Sequence, residues 1–326
     1  MNAISIISSP FQLFSFNELI KQKNISNYIL FVLVYSHYEL LQIKNLALSL
    51  DIQIHKTIIG KKVFQYFSLR KQIRKFTNLD IIVIGNFFSD PHLFFLNEIK
   101  NGKIIVLDDG LNSKLIINSL TKRNYPFFKN IFIRLFGLNL DFPKRFSIFT
   151  MFDLNSNNHN IIIEKNHLND FKKNIQKFQK EDITFFIGQP FVELKILDQF
   201  FYFSIINKLN RKFSNLIYIP SRKENDLNLN RMKKKYDINV LRTNMNVEHY
   251  ILNKKIIPKS IIGLTSTALV SLNKLFNQKN VIIDIKSVRI SEKSINKNRP
   301  KFGRNYSFEE YYKLLDDIKI MPLENV

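Results

Sequence analysis

The feature that most constrains this chain is a set of short, uninterrupted apolar runs. AISIIS at Ala3–Ser8, YILFVLVY at Tyr28–Tyr35, DIIVI at Asp80–Ile84 and KIIVL at Lys103–Leu107 are each strand-sized and each give way to polar residues or glycine. A strand with one wet face alternates apolar and polar residues. A run without alternation suits a strand covered on both faces, as in a parallel sheet between helix layers. The stretches between the runs carry a helical period instead. Phe11, Phe14, Leu19 and Ile20 recur that way across Phe11–Lys23, and Leu40, Leu41, Ile43, Leu46, Ala47 and Leu50 do so across Glu39–Leu50. Ile52–Ile59 reads as a further strand and Val63–Phe76 as a further helix. Strands alternating with helices predict an α/β fold.

A second series follows the polar stretch NSNNHN at Asn155–Asn160, the best candidate for a linker. Ile183–Ile187, Leu216–Ile219, Ile261–Gly263 and Val281–Ile285 read as its strands, and Asp198–Phe213 and Thr267–Phe276 as helices between them. Two such series predict two Rossmann-like domains, 1–155 and 156–326, facing a cleft. The last helix, near Ser307–Leu315, is expected as a possible return to the first domain.

Charge and composition narrow the function classes. The chain has 49 Lys and Arg against 27 Asp and Glu, a formal net charge of +22. That balance suits an anionic substrate or the anionic inner membrane leaflet. Nucleic acid is not expected, because neither zinc-finger spacing nor an RNP-type aromatic signature accompanies the lysines. Biased Ile, Lys and Asn usage also accounts for the charge. The absence of Cys excludes disulfides, thiolate nucleophiles and Cys-based metal sites. No H-x-x-x-H or H-E-x-x-H spacing occurs, so no metal is expected. There is no G-x-S-x-G and no G-x-G-x-x-G, which disfavours a serine hydrolase and a nicotinamide enzyme. No apolar run reaches membrane-spanning length, and the N-terminus lacks a secretory pattern. The expectation is a cytoplasmic protein, and the charge suits peripheral attachment to the inner membrane face.

Four segments carry candidate chemistry. IIVLDDG at Ile104–Gly110 puts Asp108 and Asp109 directly after a buried strand, where an open α/β sheet binds its ligand. A carboxylate there can serve as a general base, although Asp-Gly also simply makes a turn. ITFFIGQPFV at Ile183–Val192 ends in Gly188 and Gln189, and the glycine lets a ligand approach the backbone. LIYIPSRKE at Leu216–Glu224 ends in Pro220, after which Ser221 and Arg222 are phosphate contacts or, equally well, a helix cap and solvated charges. IIGLTSTALVSLNKL at Ile261–Leu275 leads from Gly263 through Thr265, Ser266 and Thr267 into a helix, a pattern that binds anions or simply caps. His92 and His249 lie near these segments.

Taken in order, these segments resemble bacterial sialyltransferases with the GT-B fold, most closely the capsular alpha-2,8-polysialyltransferase-like group. SSPFQLFSFNELI with Gln12 and Glu18, then DIIVIGNFFSDPHLFFLNEIK with Asn86, then KIIVLDDG are similar to its acceptor-side half. FTMFDL at Phe149–Leu154 resembles the end of that half. FIGQP, YIPSRKE, VEHYIL and GLTSTAL follow in the family's order through the second half, so the resemblance covers nearly the whole chain.

The resemblance implies an inverting transfer of sialic acid, or a related nonulosonic acid, from a CMP-activated donor to a capsule or lipooligosaccharide glycan. It makes Asp109 the general base and Asp108 its support. It makes Ser266 and Thr267 the donor-phosphate site, and puts Glu248 on the CMP ribose. Gly188, Gln189, Pro220 and Gly263 would line the nucleotide pocket, with Gln12, Glu18 and Asn86 on the acceptor side. No cofactor is implied. One departure stands out: the family's P-H-R is P-S-R here, so Ser221 takes the place of a His that assists departure of the phosphate. Arg222 keeps its charge beside it. A serine carries no positive charge at neutral pH, which leaves a catalytically degenerate nucleotide- or glycan-binding relative as the alternative.

Overall fold

The computed structural model describes residues 1–60, 62–76, 78–117, 125–173, 175–277, 281, 283–296, 308–315 and 318–325. The chain divides into two compact units, Met1–Asp170 and Phe171–Val326. Both are α/β.

In the first unit the order is β1 (Asn2–Ile7), α1 (Pro10–Gln22), β2 (Asn27–Val34), α2 (His37–Ser49), β3 (Lys56–Ile59), α3 (Lys62–Ile73), β4 (Ile81–Ile84), α4 (Asp90–Glu98), β5 (Lys103–Leu107), α5 (Asn112–Ile116), α6 (Phe127–Leu135), β6 (Phe146–Thr150) and β7 (Ile161–Lys165). The strands form one sheet in the order β3-β2-β1-β4-β5-β6-β7, with every pairing parallel. The continuous apolar runs therefore do lie between two helix layers, and every residue of β4 is buried. Phe31, Phe94 and Phe95 lie at the heart of the core. Truncating Phe95, which is fully buried, would cost about 3–5 kcal/mol. Local signals start the helices: Ser9 caps α1 through its side chain with Pro10 in the first turn, and Ser36 caps α2.

The polar stretch at 155–160 is not the end of this unit. Ile161 to Lys165 pair with β6 as a seventh strand, because three consecutive isoleucines have a sheet edge to pack on. The short helix α7 (Asn169–Lys172) then straddles the division at Asp170.

The second unit continues with β8 (Gln179–Ile187), α8 (Gln199–Lys212), β9 (Leu216–Ile219), α9 (Asp226–Tyr236), β10 (Asn239–Val240), α10 (Val247–Lys254), β11 (Ile256–Gly263), α11 (Thr267–Phe276), β12 (Asp284–Arg289), α12 (Phe308–Leu314) and β13 (Lys319–Pro322). Its sheet order is β10-β9-β8-β11-β12-β13, again wholly parallel. The last helix packs within the second unit through contacts of its own. Phe308 meets the ring of Phe191, and the Tyr312 hydroxyl accepts from Ile290 N–H and donates to the Val288 carbonyl. Ser307 and Ile282, which the sequence reading included in elements, lie outside the described residues.

Candidate functional site

In the first unit β1 pairs with β2 on one side and β4 on the other, so the chain order reverses there. Ligands of open parallel sheets bind at the carboxyl ends of the strands at such a point. Three neighbouring strand ends, those of β1, β4 and β5, deliver Ser8, Gly85–Asn86 and Asp108–Asp109 to it. Gln12 in the first turn of α1 ties them together. Its Oε1 accepts from Ser8 N–H at 2.6 Å, and its Nε2 donates to Asp109 Oδ1 at 2.7 Å. These two partners fix which way the amide faces. Gly85 makes room for it, since a Cβ there would land on Gln12 Oε1.

Behind Gln12 stands His92, fully buried. Asn86 N–H donates to its Nδ1 at 3.1 Å, so the proton sits on Nε2, which faces Ser8 Oγ at 2.6 Å. Burial holds its pKa down at about 3, so the ring is neutral at physiological pH. The Asn86 side chain closes its own turn by accepting from Phe88 N–H.

The two aspartates divide their roles by environment. Asp108 is fully buried, and its Oδ2 accepts from Met151 N–H at 2.7 Å. Burial pushes its pKa up to about 6, against the pull of that bond and of the Thr150 and Ser113 hydroxyls. It ties β5 to the segment after β6. Asp109 is half-buried, and its Oδ2 accepts from Asn112 Nδ2 at 3.2 Å. Gly110 follows at φ 61°, a left-handed conformation that suits glycine. The turn and the aimed carboxylate are thus one device. Glu18 is placed elsewhere: it is buried and accepts from Asp170 N–H, about 9 Å of helical rise from Gln12.

A cavity of about 800 Å³ opens in this unit near Asn2, Asn27, Asp51 and Asn78. It lies at the amino ends of the strands, opposite the carboxyl-end crevice, and offers no comparable cluster of catalytic groups.

In the second unit the reversal lies between β8 and β11, and a glutamine again spans it. Gln189 Oε1 accepts from Thr265 N–H at 2.8 Å, and its Nε2 donates to Thr265 Oγ1 at 3.2 Å. Gly263 ends β11. Ser266 then caps α11, accepting from Ala268 N–H, and Thr267 opens the helix. Both hydroxyl residues are half-exposed. Free N–H groups at such a helix start suit an anion.

Gly188 sits over a buried polar chain. The Tyr202 hydroxyl accepts from Gln189 N–H and lies 2.9 Å from the Tyr218 hydroxyl. Tyr218 donates to Glu224 Oε2 at 2.5 Å. Glu224 Oε1 accepts from Ser221 N–H at 2.5 Å. Burial pushes the Glu224 pKa up to about 7. A Cβ on Gly188 would come within 2.5 Å of Tyr218 Oη and 2.6 Å of Glu224 Oε1. Ser221 is therefore not the cap of α9, a role that belongs to Asn225. Glu224 is likewise no solvated charge; it holds the loop through Pro220 and Ser221 in place, and Arg222 is exposed beside it.

Glu248 opens α10 and is buried. Its Oε1 accepts from Ser271 Oγ on α11 at 2.6 Å, and its Oε2 from Asn246 Nδ2 at 2.8 Å. Burial raises its pKa. Next to it, both ring nitrogens of buried His249 lack a hydrogen-bond partner.

The structure thus gathers Gln12, Asn86, Asp108 and Asp109 in the first unit. In the second it gathers Gly188, Gln189, Pro220, Ser221, Gly263, Ser266 and Thr267 at neighbouring strand ends. Sequence reasoning missed the His92–Ser8 link, the Thr265 clamp and the Tyr202–Tyr218–Glu224 chain. A tyrosine inside an otherwise apolar strand, as in LIYI, is the one signal that pointed to the last. Among the described residues no group of three or more His, Asp and Glu is placed to hold a metal ion. No helix among them is long and apolar enough to cross a membrane.

No family model matches the chain, and no curated protein sequence matches it. Solved structures do. S. aureus MnaA with UDP is 12% identical, with 97% of this chain and 88% of that one aligned and a TM-score of 0.54. A putative UDP-N-acetylglucosamine 2-epimerase from Listeria monocytogenes is 10% identical over 89% and 79%, with a TM-score of 0.51. E. coli heptosyltransferase WaaC with ADP is 10% identical over 88% and 87%, with a TM-score of 0.41. The first two likenesses show the fold, which is GT-B, built of two Rossmann-like units.

Proposed function

We propose that this chain is an inverting, metal-independent glycosyltransferase. Its donor is CMP-linked sialic acid or a related nonulosonic acid, and its acceptor a capsule or lipooligosaccharide glycan. The observation that carries the reading is Asp109, half-buried at a strand end, with Gln12 Nε2 on one carboxylate oxygen and Asn112 on the other. A carboxylate held this way is aimed at the strand-end crevice, as a general base requires.

In the proposed step the acceptor hydroxyl oxygen bonds to the anomeric carbon as the bond from that carbon to the CMP phosphate breaks. The configuration inverts, the hydroxyl proton passes to Asp109, and CMP leaves with the electron pair. A nucleoside monophosphate is a good leaving group, so hydrogen-bond donors at the start of α11 around Ser266 and Thr267 suffice to stabilise it. Gly188, Gln189, Pro220 and Gly263 form the floor under the nucleotide, and Glu248 takes the ribose. That a protein of this fold, MnaA, holds UDP supports a nucleotide-linked donor in general. The choice of CMP rests on the sialyltransferase resemblance.

The test is a calorimetric titration with CMP, with UDP and GDP as controls, on wild type and on the Ser266→Ala/Thr267→Ala double variant. Selective CMP binding that the variant loses supports the reading; no CMP binding by folded protein overturns it.

Ser221 favours one second reading, a relative that binds but does not turn over. A Ser221→His variant separates the two. If wild type is inert and the variant releases CMP from CMP-sialic acid, the phosphate site has eroded.

A further inference from the structure

Helix α6 is unlike every other long helix of the first unit in that it buries none of its residues fully. Phe132 and Ile133 pack partly against the core. The opposite side is as apolar as the core side: Phe127, Phe128 and Leu135 are 73%, 83% and 76% exposed, and Ile131 is 40% exposed. At about 100° per residue these four side chains fall within an arc of about 100°. With Phe136 they form the densest group of exposed large apolar side chains among the described residues. Singly scattered exposed apolar residues need no explanation, but a contiguous patch does.

The neighbouring helix supplies charge. The ring of Phe67 on α3 meets Phe136 edge-on at 5.5 Å. Arg70 donates to the carbonyls of Phe136 and Gly137 at 3.2 and 2.9 Å, which staples α3 to the end of α6. From Phe67, Lys71 and Arg74 follow at i+4 and i+7, on the same stripe. Residues 61–76 contain six basic residues and no acidic one. Lys71, Arg74 and Lys75 are exposed, as are Arg134, Lys144 and Arg145 around α6. Glu98 engages Arg70 and Arg74, and Asp90 engages Lys129, so the exposed lysines and Arg134 carry the outward charge.

We propose that the outer face of α6 inserts into the headgroup region of an anionic lipid bilayer, with the basic rim of α3 and α6 resting on the lipid phosphates. A short amphipathic helix with aromatic residues on one side and cations alongside is the pattern of in-plane membrane binding. A second copy fits less well. An isologous contact would bring each basic rim against its own duplicate, which charge repulsion opposes. The proposal is independent of the donor and of turnover.

The test is flotation of the full chain with vesicles of phosphatidylcholine alone or of phosphatidylcholine and phosphatidylglycerol mixed. Wild type is expected to float with the anionic vesicles and much less with the neutral ones. Phe127→Ser/Phe128→Ser/Leu135→Ser is expected to lower partitioning at least about tenfold, with an unchanged thermal melt because the three side chains are exposed. Lys71→Glu/Arg74→Glu/Lys75→Glu is expected to remove the preference for the anionic vesicles.

The chain has no Trp, so Phe128→Trp provides a single indole reporter. Its emission is expected to shift to the blue when anionic vesicles are added. The proposal is overturned by absence of vesicle binding, by binding that the triple Ser variant retains, or by an unshifted indole. A concentration-dependent dimer that the triple Ser variant abolishes, without vesicle binding, also overturns it and assigns the face to a second copy.

Discussion

Both units span their point of strand reversal with a glutamine that follows the first strand, but the two bridges end differently. Gln12 spends one amide atom on a backbone N–H and gives the other to a half-buried carboxylate. Gln189 spends both on Thr265. The first bridge aims a charge; the second closes a neutral floor. The buried supports differ in the same sense. In the first unit a neutral histidine stands behind the bridge, and in the second a tyrosine pair ends on a buried glutamate. The first arrangement suits removal of a proton and the second suits holding an anion, the two tasks that the proposed function assigns to them.

The comparison breaks most sharply at Asp109. Asp109→Asn is expected to lower transfer about 10³-fold while leaving CMP affinity within about twofold of wild type, read by calorimetry on the same preparation. An equal loss in both quantities would mean that the units do not divide binding from proton removal as described.

The next effect is one of pH. Burial lifts Glu224 from 4.5 to about 7, so between those values the folded state keeps a proton that the unfolded state has released. Stability therefore falls as pH rises through this window, by up to about 3 kcal/mol. Burial raises Glu248 in the same direction and lowers His249 in the opposing one. In the first unit two shifts oppose each other. Asp108, raised from 3.8 to about 6, loses stability as pH rises, whereas His92, lowered from 6.5 to about 3, loses it as pH falls. Calorimetric melting from pH 4.5 to 8 should show the second unit sloping more steeply than the first, and Glu224→Gln should flatten that slope.

The smallest effects come from a matched pair of glycines. Gly188→Ala drives a Cβ against Tyr218, whose ring is buried and stacked on Phe186. It cannot swing aside, so unfolding of the second unit should become easier by about 2–3 kcal/mol. Gly85→Ala meets only the end of the Gln12 side chain, which can rotate away. Its melt should stay within about 1 kcal/mol of wild type, yet transfer should fall about tenfold because Asp109 loses its aim. Equal melting losses in both variants would contradict the contrast between a rigid support and a flexible one.

The sequence revealed what repeats locally and hid what is brought together over distance. Lys103–Leu107, Leu216–Ile219 and Thr267–Phe276 are legible to the residue, because a buried run or a capped helix declares both its ends. The first half of β8, QKED, is polar and carries no strand signal; only its pairing with Ile256–Pro258 makes it one. At the site, Asp108 and Asp109 stand out as carboxylates after a buried run. The reach of Gln12 to Asp109 crosses 97 residues, and only the family resemblance drew attention to that glutamine. Nothing local marks Glu224 as interior, because Ser-Arg-Lys-Glu looks solvated in one dimension. Tyr218, six residues earlier in the chain, makes it interior.

The parallel pairing of both sheets has a consequence during synthesis. The first strand of each unit sits in mid-sheet, and one of its two neighbours arrives far later: the Asn2–Asp80 contact spans 78 residues and the Thr184–Ser260 contact 76. At roughly 5–20 residues per second on the ribosome, one flank of each nascent sheet therefore stays unzipped for roughly 4–15 s. During that interval β1 and the apolar second half of β8 are templates open to any other extended chain. The yield of native protein should accordingly depend on how fast codons between residues 35 and 80, and between 220 and 256, are decoded.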